Sequence, residues 1–98
     1  MATYLTLIKL TEKGAKDIKD SCKRAAEFKS HAKKHGIEVV REQYWCMGTY
    51  DGAIIFDAPD DESAAAAMAS LTSRECVTTQ TMRAFTAQEM GKILERVS

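Results

Sequence analysis

A short connection between two apolar segments constrains the fold of this chain more than any other feature. Residues 37–47 and 52–58 have the β-branched and aromatic composition of strands, and only residues 48–51 separate them. Such a short link joins antiparallel neighbours, because parallel strands need a crossover of a dozen residues or more. Gly48 or Gly52 is expected to supply a positive φ in the turn. The two segments therefore predict an antiparallel hairpin.

Local patterns place the other elements on either side of this hairpin. Residues 3–10 have the composition of a first strand and residues 76–85 that of a fourth. Residues 12–35 predict a helical region in two pieces, the longer covering residues 22–35, and residues 61–72 predict a helix rich in alanine. Small side chains in this last helix would let its backbone lie close to a sheet.

The residues at the helix ends support these boundaries. Thr11, Asp20 and Asp60 each precede a helical segment as N-cap residues, and Gly36 follows one as a left-handed residue. Residues 86–89 (Thr-Ala-Gln-Glu) form a capping box ahead of a final amphipathic helix. The order is β-α-β-β-α-β-α. It predicts one α+β domain over residues 1–98, with a ferredoxin-like βαββαβ sheet of four antiparallel strands and an added C-terminal helix.

The predicted sheet is apolar on both faces. In the first strand, Tyr4 and Ile8 point to one side while Leu5 and Leu7 point to the other. Two helices can cover one face only, and an uncovered apolar face would be a large adhesive patch. Either the C-terminal helix folds across it or a second copy packs sheet to sheet. We favour the second arrangement and expect a homodimer.

Composition removes several classes of protein. No apolar run approaches the length of a membrane span, and no basic segment with a cleavage site precedes the first strand, so neither a membrane span nor a signal peptide is expected. Cys22, Cys46 and Cys76 are odd in number and widely spaced, which argues against a disulfide framework or zinc ribbon. They are expected as small buried side chains in a cytoplasmic protein.

The net charge is zero but unevenly distributed. Residues 9–35 carry nine Lys and Arg against four Asp and Glu, yet opposite charges recur four residues apart, as on a solvated helix face. No basic stripe with interleaved aromatic residues is present, so nucleic-acid binding is not expected. The motifs of nucleotide, dinucleotide, serine-hydrolase and zincin sites are also missing from the sequence.

Several residues are candidates for a site. Asp51 and Tyr50 could act as a base and a phenol beside a pocket, or could fasten the turn and pack. Arg83, in the middle of a strand, needs a partner or an anionic ligand, and Asp57 is its expected partner within the chain. Tyr44, Trp45 and Phe56 offer aromatic surface to a flat apolar ligand, a core or a dimer interface.

Two histidines form a further candidate. His31 and His35 lie four residues apart near a helix end, where both could face one way toward a metal or haem. No third ligand has a suggestive spacing. The alternative is that both are exposed residues favoured by the helix C-terminus, and no metal or cofactor is expected.

The sequence of residues 48–62 resembles the GYD-domain family, named for a Gly-x-Tyr-Asp core. Here that core is Gly48-Thr49-Tyr50-Asp51, and it is followed by an apolar strand and by Ala-Pro-Asp-Asp-Glu. Further matches occur across nearly the whole chain, at residues 10–14, 18–21, 73–74 and 81–86. The resemblance implies a dimeric α/β barrel, a superfold whose members include cofactor-free oxygenases, haem-handling proteins and isomerases.

Two departures from the family pattern stand out. Cys22 replaces a proline that usually follows Asp-Ser, and Thr72 and Glu75 replace glycines that usually flank the Ser-Arg loop. The second departure weakens the case for an anion bound by the backbone of residues 73–74.

The sequence therefore predicts a homodimeric module that binds a small molecule or another protein. One alternative is a cofactor-free monooxygenase or isomerase with Asp51 and Tyr50 at a pocket between sheet and helices. Another is a haem binder using His31 or His35. Tyr44, Trp45 and Arg83 are the residues expected to contact a ligand.

Overall fold

A computed structural model describes residues 1–37 and 39–98 of the chain. Glu38, predicted within the second strand, lies outside the described residues. Among the described helices, none has the length and apolar character needed to cross a bilayer. The elements are β1 (Ala2–Leu10), α1 (Glu12–Lys16), a 3₁₀ turn (Ile18–Asp20), α2 (Ser21–Ala32), a second 3₁₀ turn (Lys33–His35), β2 (Val39–Trp45), β3 (Gly52–Ala58), α3 (Asp61–Thr72), β4 (Val77–Ala84) and α4 (Ala87–Leu94).

The four strands form one antiparallel sheet in the order β2-β3-β1-β4. The hairpin of β2 and β3 is confirmed, and β1 lies at the centre between β3 and β4. This is the order of a ferredoxin-like fold, and with the helices it confirms the predicted α+β architecture. In the register, Tyr4 of β1 pairs with Phe56 of β3 on one side and with Arg83 of β4 on the other.

Most of the predicted helix caps are present. The hydroxyl of Thr11 accepts the backbone N–H of Gly14 at 3.1 Å, and the carboxylate of Asp60 accepts that of Ser63 at 2.7 Å. Thr86 and Glu89 make both bonds of the capping box. Asp20 stands at the N-cap of α2 without a side-chain capping bond. The bonds that form satisfy amides that the first turn of a helix leaves unpaired.

The hairpin connection is longer than predicted. β2 ends at Trp45, so Cys46 and Met47 belong to the loop. The backbone N–H of Cys46 donates to the carbonyl of Asp51 at 2.8 Å and closes this loop across residues 46–51. Gly48 has φ of 127°, a value that residues with a β-carbon rarely adopt. The predicted positive φ therefore occurs in this turn.

The inner face of the sheet, which packs against α2 and α3, carries the core. Its central residues are Tyr4, Thr6, Ile8 and Leu10 in β1, with Ile54, Phe56 and Ala58 in β3. Phe28 and Ala32 from α2 and Ala64, Ala67 and Met68 from α3 complete the buried cluster. As predicted, alanines let α3 lie close to the sheet, and two of them are buried. The hydroxyl of the fully buried Thr6 is satisfied by Thr81 at 2.8 Å.

The outer face of the sheet has no such cover among the described residues. It presents the apolar residues Leu5, Leu7, Tyr44, Ala53, Ile55 and Met82, and toward its edges the polar residues Thr3, Lys9, Glu42, Asp57, Thr78 and Gln80. Met82 is 39% exposed and Tyr44 is 54% exposed. No residue of α4 is buried, and its apolar residues Leu94 and Met90 stay exposed. Of the two covers considered for this face, the chain's own C-terminal helix is therefore not the one used.

The start of α1 lies against the start of β4 with no space for a side chain. A β-carbon on Gly14 would lie 2.0 Å from the carbonyl oxygen of Cys76, whose position is held by a 3.0 Å bond from the N–H of Thr11. Relief of this contact would require the backbone to move.

We expect Gly14→Ala to lower the free energy of unfolding by about 3 kcal/mol, because backbone must shift to admit the new methyl group. Gly91→Ala is the matched control, since a β-carbon at Gly91 in α4 meets nothing within 4 Å. The control should raise stability by about 0.5–1 kcal/mol, because alanine favours the helix. Urea unfolding of both variants measures this, and equal stabilities for the two would contradict the close approach.

Candidate functional site

A cavity of about 270 Å³ lies between α2 and the inner face of the sheet, at the end where the hairpin loop closes. Its walls are mostly apolar and come from β1, α2, β3 and the end of α3: Ile8, Leu10, Ala25, Phe28, Ile54 and Leu71. Polar side chains approach from Arg24, Gln43 and Asp51. Concave, mainly apolar sites with few polar groups are where proteins most often bind small molecules.

Trp45 and Tyr44 both line this cavity, but their side chains point to opposite faces of the sheet. The indole N–H of Trp45 donates to the hydroxyl of Ser21 at 3.2 Å, which links β2 to the start of α2. Tyr44 pairs with Ala53, next to the inward-facing Ile54, so its side chain belongs to the outer face. The two aromatic residues proposed as one ligand surface are therefore divided between the two faces of the sheet.

Asp51 fastens the hairpin loop to the central strand. Its carboxylate Oδ2 accepts the backbone N–H of Leu10 at 2.8 Å, and its own N–H donates to the carbonyl of Ile8 at 2.8 Å. Its carbonyl accepts from Cys46 within the loop. One residue thus satisfies backbone groups of β1 and of the loop, which is the structural role considered for it.

Tyr50 points away from this network. Its hydroxyl donates to Oε1 of Gln80 at 2.9 Å. Gln80 pairs with Leu7 and lies on the outer face. The neighbouring residues of the motif thus act on opposite sides of the sheet, and the structure does not bring Tyr50 and Asp51 together as an acid and a base.

Arg83 does not line the cavity. It pairs with Tyr4, four residues along β1 from Ile8 at the cavity wall, a separation of roughly 13 Å at ~3.3 Å per residue. Its guanidinium donates to the carbonyls of Thr3 at 3.2 Å and Ala84 at 2.5 Å. It also lies over the rings of Phe85 and Tyr4, at 4.6 and 5.7 Å from their centroids.

The expected pairing of Arg83 with Asp57 does not form. Asp57 pairs with Thr3, one residue before Tyr4, so its side chain lies on the opposite face of the sheet from Arg83. There it accepts the hydroxyl of Thr3 at 2.7 Å. Carbonyl oxygens and aromatic rings take the place of a carboxylate around this guanidinium.

Tyr4 connects the core to the start of α3. Its ring stacks on that of Phe56 with centroids 5.3 Å apart, and its hydroxyl donates to the carboxylate of Asp61. Burial, followed by the hydrogen bond to Asp61, raises the pKa of the Tyr4 phenol to about 12. The phenol is thereby kept neutral as a structural donor.

The two histidines lie on the helix side, with His31 exposed in α2 and His35 half-buried in the following 3₁₀ turn. Within the part of the chain that the structure describes, no group of three metal-binding side chains comes together. The cysteines differ from expectation: Cys76 is buried, whereas Cys22 and Cys46 are exposed. The prediction of buried side chains was wrong for these two, because α2 turns Cys22 outward and β2 ends before Cys46.

Sequence reasoning missed Arg24 and Phe28 as cavity residues. Phe28 belongs to the apolar stripe of α2, but the stripe does not show which part of the sheet it covers. The charge pattern groups Arg24 with the solvated charges of the same helix. Arg24 nevertheless lines the cavity, and its guanidinium donates to the carbonyls of Asp17 at 2.8 Å and Gly14 at 3.5 Å.

We expect Asp51→Ala to lower the free energy of unfolding by about 1.5–3 kcal/mol, because the amide of Leu10 loses a charged acceptor. Tyr50→Phe, the matched control in the same motif, removes an exposed bond and should cost under about 1 kcal/mol. Urea unfolding with far-UV circular dichroism measures both. An Asp51→Ala protein as stable as the wild type would contradict the fastening role.

Comparison with known proteins adds three findings. The family model described as the GYD domain matches residues 4–94. A protein of Thermus thermophilus named glutamine synthetase and cystathionine beta-lyase binding protein is 32% identical over 91 residues, covering 92% of this chain and 95% of the relative.

The fold also matches a solved structure. The crystal structure of TTHA0845 from Thermus thermophilus superposes with a TM-score of 0.56 at 24% identity, covering 89% of this chain and 96% of that one. This likeness supports the fold alone. The match of the family model to nearly the whole chain agrees with the Gly-x-Tyr-Asp core at residues 48–51, and the chain belongs to the GYD family.

Proposed function

We propose that this protein is a homodimeric interaction module that pairs through the outer face of its sheet and binds other proteins. The observation that carries the proposal is the outer face itself: it is apolar at its centre, and no element among the described residues packs over it. An exposed apolar sheet face of this kind is an interaction surface in proteins that stay in solution.

The layout of the outer face favours a second copy as its occupant. Leu5, Leu7 and Ile55 form an apolar centre on the two middle strands. The edge strands contribute the polar Gln80 and Glu42 beside the apolar Met82. An apolar centre with a polar rim is the usual anatomy of a protein interface. A flat antiparallel face also meets its own copy with good complementarity about a two-fold axis.

The C-terminal helix supplies the area that the sheet lacks. Four strands ~4.8 Å apart and about seven residues long cover roughly 440 Å² in plan, below the ~800 Å² per partner of a stable interface. α4 begins three residues after the edge strand β4 ends, and its apolar residues Met90 and Leu94 are exposed. In the proposed dimer, α4 extends the interface by packing its apolar stripe against the second copy.

We expect light scattering at low micromolar concentration to give twice the 10.9 kDa mass of the chain. Ile55→Glu should give the mass of one chain with an unchanged circular dichroism spectrum, because a buried charge opposes pairing. Leu94→Glu should weaken the dimer without unfolding the subunit. Lys23→Glu, exposed on the helix side, is the control and should remain dimeric. A wild-type mass of one chain would remove the dimer from the proposal.

The protein-binding part of the proposal is supported by the named relative. That protein is described as a binding protein of glutamine synthetase and cystathionine beta-lyase, and the similarity covers nearly all of both chains. Because the dimer would occupy the outer face and α4, the helix side would remain open to such partners. We propose that this chain binds enzymes of the same two kinds.

Biolayer interferometry with the immobilised wild-type protein tests this binding. We expect saturable binding of purified glutamine synthetase or cystathionine beta-lyase, and none of an unrelated oligomeric enzyme of similar size. If neither enzyme binds, the enzyme-binding part is wrong. The light-scattering result is independent of this outcome, so a failure of one part does not obscure the other.

A further inference from the structure

We propose that the cavity between α2 and the sheet binds a small molecule with one apolar ring and a carboxylate on a short chain. The site lies on the inner side of the sheet, away from the proposed dimer interface, and goes beyond the binding of proteins.

The size of the cavity sets the size of the ligand. Protein interiors are close-packed and retain few voids larger than a water molecule. An apolar cavity of ~150 Å³ accepts a benzene-sized molecule. The volume here is about 270 Å³, enough for a six-membered ring and a short chain.

The walls set the character of the ligand body. Ile8, Phe28, Ile54 and Leu71 line the cavity, and each has an apolar side chain. Water inside would meet few hydrogen-bond partners on these walls, whereas a ring gains dispersion contacts with them. The body of the ligand is therefore apolar.

Arg24 sets the polar end. Arg24 lines the cavity, and two of its guanidinium nitrogens donate to the carbonyls of Asp17 and Gly14, which leaves its other N–H donors unassigned. No carboxylate among the described residues lies within ion-pair distance of it, whereas the nearby Arg74 is paired with Glu27 at 3.0 Å. A guanidinium held in this way favours an anionic group with two oxygens.

Asp51 opposes an anion elsewhere at the cavity. It also lines the cavity, and its carboxylate stays negatively charged although its Oδ2 accepts the amide of Leu10. The carboxylate end of the ligand is therefore expected beside Arg24 and away from Asp51.

Trp45 provides the signal for a test, because it is the chain's single tryptophan and stands at the cavity. The probes are 3-phenylpropionate and its uncharged amide, 3-phenylpropionamide, titrated into the full-length protein. We expect saturable changes in tryptophan fluorescence when 3-phenylpropionate is added. In NMR spectra, the chemical-shift changes of the protein's backbone N–H groups should be confined to cavity residues. The uncharged amide should bind about ten- to a hundredfold more weakly, since it lacks the charge-assisted bonds to Arg24.

Two variants and one control locate the binding. Arg24→Gln should weaken the binding of 3-phenylpropionate by a similar factor and leave the affinity for 3-phenylpropionamide unchanged. Ala25→Phe, which fills the cavity from α2, should abolish binding of both probes. Lys23→Gln removes a positive charge from an exposed neighbouring position and should bind the acid like the wild type.

Several results would overturn the proposal. These are no saturable binding of the acid at millimolar concentration, equal affinity for acid and amide, or binding that survives Ala25→Phe. Light scattering of the same samples reports separately on the dimer, so the two proposals fail independently.

Discussion

The structure depends on one constraint: the sheet is apolar on both faces, and the chain has helices for only one of them. Alternation along β1 sends Tyr4 and Ile8 inward and Leu5 and Leu7 outward. α2 and α3 pack on the inner face and bury Phe56 almost completely. The hydrophobic effect that favours burial of the inner face also favours burial of the outer face. Within the described residues, no helix packs over the outer face. The interface proposed for the dimer follows from this imbalance.

The Gly-x-Tyr-Asp motif lets one short loop make contacts on both faces of the sheet. Gly48 provides the positive φ that reverses the chain, and Asp51 fastens the loop to the backbone of β1. Because neighbouring residues point to opposite sides, Tyr50 reaches Gln80 on the outer face while Asp51 borders the inner cavity. The loop therefore fixes the edge of the cavity and part of the outer surface at the same time.

Local features of this fold were predictable from the sequence, whereas the residues that α2 contributes to the cavity were not. The cap at Thr11, the cap at Asp60 and the capping box of α4 follow from side chains and amides a few residues apart. The position of Arg24 depends on how α2 is rotated and on where the 3₁₀ turn before it bends the chain. Those choices are decided by packing across the whole domain. The separation of Arg83 from Asp57 depends likewise on the register between three strands, which the composition of each strand leaves open.

The junction of α1 with β4 connects the loop before β4 to Arg24. Glu75 in this loop takes φ of 66°, a conformation that costs a residue with a side chain of order 1 kcal/mol. Its carbonyl accepts the hydroxyl of Thr11, and the next carbonyl, that of Cys76, accepts the N–H of Thr11. These bonds hold the backbone of Gly14, whose carbonyl is one of the two that hold the guanidinium of Arg24. The turn at Glu75 is therefore linked, through Thr11 and Gly14, to one of the two carbonyls that bind the guanidinium of Arg24.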